Sequence, residues 1–230
     1  MATNPAPLAA QVDAIGKTYF AYDEQVQALQ DVSKDFPAAA ITTIVGPSGS
    51  GKSSLLRILA CLDRPTTGSA VVAQHDLAHL SPRRRRALRR TSVAYMFQDP
   101  IHNLLEYLPA IEQLDLAARL RGRVVPRERQ LELLETLGMG HRHDHLPVEL
   151  SGGEQQRLAV ACAVVGGPAL VIADEPTAEL DSRSAELVLD AFANLRSTGV
   201  AFLLASHDPQ VVDRTDHLLR LERGQVSESW

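Results

Sequence analysis

Three groups of residues in this chain have the types and spacing needed for a reaction on a nucleoside triphosphate. Gly46-Pro47-Ser48-Gly49-Ser50-Gly51-Lys52-Ser53 fits the pattern G-x-x-x-x-G-K-[ST]. In that pattern glycines let backbone N–H groups close around phosphate, and the helix that follows presents its positive end. Lys52 would reach the β- and γ-phosphates and Ser53 would ligate Mg²⁺; the bland alternative is a glycine turn joining strand to helix. Asp174 follows an apolar run directly, which suits a carboxylate that holds Mg²⁺ through its water shell. Glu175, one residue further on, suits a general base that orients water for in-line attack on the γ-phosphate. Without the phosphate loop this pair would read as two solvated carboxylates ahead of Pro176.

The third group is Leu150-Ser151-Gly152-Gly153-Glu154-Gln155-Gln156-Arg157. A glycine-rich helix start exposes unpaired N–H groups and a positive dipole end, which makes a second anion site. Ser151 and Glu154 also stand at capping-box spacing, and both roles can hold together.

The elements that must position these groups are legible as alternating strands and helices. Ala40 to Val45 is a β-rich run ending at glycine, and Lys52 to Leu62 has helical spacing through Leu55, Leu56, Ile58 and Leu59. Ala169 to Ala173 and Val200 to Ala205 are continuously apolar, as expected of strands covered on both faces in a parallel sheet. Gly46, Asp174 and His207 each follow such a run, so three strand carboxyl ends are expected to converge on one site. Val188, Phe192 and Leu195 form a helical stripe that Gly199 ends. Residues 98–157 differ, with Leu114, Leu116, Ala117 and Leu120 and then Leu131, Leu133, Leu134 and Leu137 at helical spacings. They read as a mostly helical insertion.

Length and composition set the outer bounds. A chain of 230 residues without a low-complexity break reads as one α/β domain. Lys and Arg total 23 against 28 Asp and Glu, which gives no electrostatic pull toward nucleic acid. Cys61 and Cys162 lie in apolar, helix-like surroundings and read as buried thiols of a reducing compartment, the cytoplasm. The longest apolar run, Leu158 to Ala173, is interrupted by Gly166-Gly167-Pro168 and falls short of the roughly 20 residues of a spanning helix. If the protein acts in transport, the membrane-spanning part is expected to belong to another polypeptide.

With these residues in place the chain resembles the nucleotide-binding subunits of ATP-binding cassette (ABC) transporters, from about Ala9 to Val226. The ordered motifs are Gly46 to Ser53, Gln98 after Tyr95-Met96-Phe97, Leu150 to Arg157, Asp174-Glu175-Pro176, Ala178-Glu179-Leu180-Asp181, and His207. The resemblance implies a P-loop NTPase with a RecA-like parallel-sheet core (about 1–97 and 158–230), an antiparallel β subdomain and a helical subdomain (about 98–157). It implies ATP and Mg²⁺ as ligands, an integral membrane permease as partner, no nucleic acid, and a place on the inner face of the membrane. It also implies a head-to-tail dimer in which each ATP lies between one copy's phosphate loop and the other's Ser151, Gly152 and Gly153.

Individual roles follow from the same resemblance. His207 resembles the switch histidine that contacts the γ-phosphate and keeps water and Glu175 aligned. Gln98 resembles the residue that senses Mg²⁺ and couples the site to the permease. Asp181 resembles the aspartate of a loop crossing the dimer interface, and it is also placed to cap the next helix. Tyr19 resembles the aromatic that stacks on adenine; Phe20 and Tyr22 are close enough to compete, and core packing is the alternative.

Some features depart from the pattern or stand outside it. Pro37-Ala38-Ala39-Ala40 lacks the glycine usual before the central strand, and Ser54 replaces a more usual threonine. Within the family, Leu62 to Gly68 and Leu150 to Arg157 look most like subunits serving lipoprotein release, macrolide export and cell-division permeases. Arg83 to Arg86, Arg89 and Arg90 form a basic run on a helix that Ser81 caps with Pro82 first, opposing the helix dipole. It invites lipid headgroups or acidic permease residues, or is a solvated face. His141, His143 and His145 read as loop histidines, since Arg142 among them would repel a metal. Two rival functions are a non-transport ABC ATPase and a cell-division regulator that binds ATP without useful turnover. The 53-residue spacer between Gln98 and Ser151 holds no long coiled coil of the DNA-repair kind.

Overall fold

The computed structural model describes residues 7–21 and 24–230. Its elements run β1 (Leu8–Ala21), β2 (Glu24–Pro37), β3 (Ile41–Val45), α1 (Lys52–Leu59), β4 (Thr67–Val72), β5 (His75–Asp76), α2 (Pro82–Ser92) and β6 (Val93–Met96). Then come α3 (Ala110–Leu120), α4 (Arg127–Thr136), α5 (Gly152–Val164), β7 (Leu170–Asp174), α6 (Ser182–Arg196), β8 (Ala201–Ala205), α7 (Pro209–Val212), β9 (His217–Glu222) and β10 (Gln225–Ser229).

The strands form two sheets, a six-stranded one in the order β10-β9-β3-β8-β7-β6 and a four-stranded one in the order β2-β1-β4-β5. Every pairing from β9 across to β6 is parallel, while β10 and the whole small sheet pair antiparallel. The parallel core and the antiparallel sheet are as expected.

The continuously apolar strands divide residue by residue between two cores, because successive side chains on a strand point to opposite faces. On β7, Val171 and Ala173 join the cluster with α3, α4, α5 and α6; Leu170 and Ile172 join the one with α1 and the small sheet. On β8, Phe202 and Leu204 face the first cluster and Ala201, Leu203 and Ala205 the second. A strand buried on both faces cannot slip by one residue without exchanging its two cores, which fixes the register of the strand ends.

Two expectations need correction. The helix from Lys52 ends at Leu59, short of Leu62: Cys61 turns left-handed at φ +58°. The Cys61 N–H then bonds Ile58 O and the Leu62 N–H bonds Arg57 O, both at 2.9 Å. This is the helix-ending pattern usually built on glycine. Cys61 is therefore buried in a turn and not in a helix, with burial pushing its thiol up to about 11. On α3 the buried stripe is Ala110, Ile111, Leu114 and Ala118; Leu120 is 60% exposed. α5 is continuous from Gly152 to Val164, so a boundary at residue 157 falls within it.

Ala39 takes φ +54° in the turn before β3, the conformation glycine would occupy at less cost. Asp76, Ser81 and Asp99 each cap a short helical start.

Phe202 packs on Phe192 with ring centroids 5.0 Å apart, joining β8 to α6 at full burial. Phe202→Ala is expected to lower unfolding free energy by about 3–5 kcal/mol in urea denaturation. A loss below about 1 kcal/mol contradicts this placement.

Candidate active site

β3, β8, β7 and β6 lie side by side, and each carboxyl end delivers a motif. β3 runs into Gly46, β8 into Ser206-His207, β7 into Asp174-Glu175 and β6 into Phe97-Gln98. Ala205 is in register with both Ile44 and Asp174, which sets the phosphate loop, the histidine and the acidic pair at one level. This is the convergence expected of an open parallel sheet.

The phosphate loop requires bare backbone at two points. A Cβ on Gly46 would sit 2.1 Å from Leu221 O, and one on Gly51 2.4 Å from Ala28 O, with φ +150° and +105°. α1 opens with no side-chain cap, so the N–H groups of its first turn, around Ser53 and Ser54, remain free for an anion. Ser50 is buried and its Oγ has no hydrogen-bond partner among the described residues. The Lys52 ammonium donates to Gly46 O at 2.6 Å and Pro47 O at 3.1 Å, folded over the loop. An uncapped helix start, an orphaned hydroxyl and a poised ammonium fit a triphosphate.

Ser53, Asp174 and Gln98 carry side-chain oxygens of the kind Mg²⁺ prefers. Gln98 and Asp174 border one cleft of about 390 Å³, together with Tyr95, Asp99 and Glu179. Among the described residues no group of three or more His, Cys, Asp or Glu side chains makes a metal cage. Mg²⁺ commonly keeps waters and takes substrate phosphate oxygens beside one or two protein ligands, which a donor set of this size would allow. Burial, and then the neighbouring Glu175 charge, pushes the Asp174 carboxyl above the usual carboxylate range, while Lys52 and Tyr95 pull the other way. Tyr95, raised to about 12 by burial and Asp174, keeps its proton.

Glu175 is held in the left-handed region at φ +49°, which costs roughly 1–2 kcal/mol outside glycine. Its N–H donates to Ala205 O at 2.9 Å and its carbonyl accepts the Ala178 N–H at 3.2 Å. This pins the backbone and turns the carboxylate toward β8. There it meets His207 Nδ1 at 2.8 Å and accepts from Ser206 Oγ at 3.3 Å. The hydrogen bond to Glu175, reinforced by its charge, raises the His207 imidazole above its ordinary value. A carboxylate held beside a phosphate loop, with an exposed imidazole on it, can take a proton from water.

Ser151 caps α5, its Oγ accepting the Glu154 N–H at 3.3 Å while the Glu154 carboxylate accepts the Ser151 N–H at 2.8 Å. Burial opposes ionisation of Glu154, but the Ser151 donors and then Arg142, at 2.9 Å, bring it down to about 2. A Cβ on Gly153 would lie 2.6 Å from Ser184 Oγ, whereas one on Gly152 would find its nearest neighbour, Leu180, at 4.0 Å. Gly153 is thus needed for packing inside the chain and Gly152 faces open space. Asp181 caps α6, accepting from Ser184 N–H at 3.0 Å and Ser184 Oγ at 2.8 Å. The glycine-rich helix start and the Asp181 loop therefore meet at Ser184.

Tyr19 borders a cleft of about 360 Å³ with Gln27, Ala28 and the loop from Ser48 to Ser54. Phe20 is 75% exposed and does not line it; Tyr22 lies outside the described residues. His143 Nδ1 contacts Gly140 O and Arg142 contacts His145 Nε2, so these loop histidines bind their own turn. A larger cleft of about 670 Å³ lies at the amino ends of β7 and β8, away from every motif residue.

Sequence reasoning missed four contributors: Ser206 on Glu175, Tyr95 on Asp174, and Lys17 with Asp63 around Tyr19. For Ser206 and Tyr95 a signal existed, since both stand within three residues of a motif at a strand end.

The ABC transporter family profile matches residues 29–178. The lipoprotein-releasing system ATP-binding protein LolD of Shewanella oneidensis is 40% identical over 224 residues, covering 95% of this chain and 96% of that protein. The macrolide export ATP-binding/permease protein MacB of Bradyrhizobium diazoefficiens is 41% identical over 92% of this chain, which spans 32% of that longer protein. Among solved structures, a dimeric ATP-binding cassette in a post-hydrolysis state with ADP and phosphate is 31% identical at a TM-score of 0.83, covering 96% of this chain and 97% of that one.

Since the folded pKa of His207 is raised, its charged pair with Glu175 is complete below the unfolded value and is lost as pH rises through the folded one. An NMR titration is expected to place the His207 midpoint above about 6.5, and Glu175→Gln to return it toward that value. A midpoint indifferent to Glu175→Gln contradicts the pairing.

Proposed function

The chain belongs to the ABC transporter family, and from that we infer its work: it is an ATP-binding and ATP-hydrolysing subunit that acts as a head-to-tail dimer and drives a separate integral membrane permease. The observation that carries the catalytic part is the Glu175–His207 contact of 2.8 Å beside an uncapped phosphate-loop helix.

In this reading Lys52 and the N–H groups from Gly46 to Ser54 hold the phosphates, with Pro47, Ser48, Gly49, Ser50 and Gly51 shaping the loop. Ser53, Asp174 and Gln98 would hold Mg²⁺, which when bound would supply charge neutralisation to the phosphates. Glu175 accepts the proton of the attacking water, and His207 keeps that carboxylate and the γ-phosphate in line. Tyr19 stacks on adenine. Ser151, Gly152 and Gly153 of the second copy supply N–H groups to the γ-phosphate, and Asp181 lies at the interface. The open space at Gly152, next to the exposed cap Ser151 and the packed Gly153, supports an approach from outside the chain.

The LolD and MacB relatives favour an exporter or force-transmitting permease of their type. We place the subunit in the cytoplasm, peripheral to the inner face of the membrane; no helix among the described residues is long and apolar enough to cross one. The basic face of α2 supports that location. Arg83, Arg84, Arg86 and Arg90 are exposed, and among the described residues no carboxylate pairs with them.

Glu175→Gln is expected to cut steady-state phosphate release by on the order of 10²–10⁴ while leaving ATP binding intact and accumulating an ATP-bound dimer. Equal phosphate release by both proteins removes Glu175 from the chemistry.

A further inference from the structure

We propose that Lys17 and Asp63 are positioning residues for the nucleobase: they clamp the Tyr19 ring and tie it to the far end of the helix whose start holds the phosphates. This rests on Tyr19 being the base-stacking aromatic.

Lys17 is only 9% exposed, and its ammonium donates to Asp63 Oδ1 at 2.7 Å and to Arg64 O at 2.9 Å. The same ammonium lies 4.8 Å from the Tyr19 ring centroid, a cation on one face of the ring. Asp63 Oδ2 accepts the Tyr19 hydroxyl at 3.3 Å, and Asp63 Oδ1 also accepts the Arg64 N–H at 2.8 Å. The ring is thus fixed at its tip and covered on one face, and it borders the cleft above the phosphate loop. A partly buried ion pair is a weak source of stability, since desolvation offsets much of the attraction, so its clearest effect here is geometric.

The helix end explains how Asp63 reaches that position. With Cys61 left-handed, the N–H groups of Leu62 and Asp63 both return to Arg57 O, at 2.9 and 3.1 Å. The chain reverses within three residues and delivers Asp63 to β1. Thr66 then straps the same stretch of β1, accepting the Thr18 N–H at 3.0 Å and donating its own N–H to Gly16 O at 2.7 Å. One helix of eight residues, about 12 Å long, therefore connects phosphate and base subsites.

The test compares ATP with inorganic tripolyphosphate, which lacks the base, by titration calorimetry. Asp63→Ala is expected to weaken ATP binding about fivefold, as for one lost hydrogen bond, and to raise KM equally with kcat unchanged. Tripolyphosphate binding stays unchanged. Asp63→Asn, which keeps an acceptor for the hydroxyl, recovers most of the loss, and in a Tyr19→Ala background Asp63→Ala adds nothing. If Tyr19→Ala leaves ATP affinity intact, the stacking reading itself fails. If Tyr19→Ala weakens ATP while Asp63→Ala and Lys17→Met do not, stacking stands and positioning is overturned. Equal losses for ATP and tripolyphosphate also overturn it, as a general loosening. Should Asp63→Ala not fold, Lys17→Met carries the comparison, with weaker ATP binding and unchanged tripolyphosphate binding expected, and equal binding of ATP by Lys17→Met and the unaltered protein overturning the proposal.

Discussion

A triphosphate brings dense negative charge that must be met by donors already in place, because mobile water or flexible side chains reorganise at a cost. This chain meets it with backbone. Gly46 and Gly51 sit where a single added carbon would strike Leu221 O or Ala28 O, so the loop is held by the very strands it crosses. The uncapped start of α1 is the consequence. Everything else in the site is arranged around that fixed anion hole: the acidic pair one strand beyond the neighbouring strand, the histidine between them, and the glutamine at the edge.

Rigid strand ends also let the fold hold Glu175 in a costly backbone conformation. A left-handed glutamate would relax in a loop; here Ala205 O and the Ala178 N–H restrain it from both sides. Strain maintained by its surroundings is what one expects where a side chain must be aimed, and this one is aimed at His207. The opposite logic holds at Gly152. Among the described residues nothing fills the room beside it, while Gly153 next to it is packed against Ser184. One glycine serves the fold, and the other leaves bare backbone open to the surface.

Much of this was legible in the sequence because the motifs are local. A loop of eight residues, a capping box at Ser151 and Glu154, and an Asp-Glu pair closing an apolar strand each announce themselves within a few positions. The continuous apolar runs of β7 and β8 reported burial on both faces, and the two cores bear that reading out. What stayed hidden depends on distant pairs or on exceptions to rule. Lys17 and Asp63 are 46 residues apart, and nothing in either neighbourhood names the other. Cys61 ends α1 in a conformation that glycine would have advertised, so the helix reads as longer than it is. Leu120 continues a plausible apolar stripe on α3, yet the partner surface lies under Ala118 instead.

In the proposed dimer Lys52 of one molecule and Ser151 of another attend the same ATP. Lys52→Ala and Ser151→Arg, each made in a Glu175→Gln background to prevent turnover, give the direct test by size-exclusion chromatography with bound nucleotide counted. Neither variant alone should dimerise with ATP, whereas an equal mixture should yield heterodimers retaining one ATP per pair, because both defects fall in one shared site and leave the other whole. A mixture that stays monomeric, or a Ser151→Arg protein that dimerises fully around ATP alone, would contradict it.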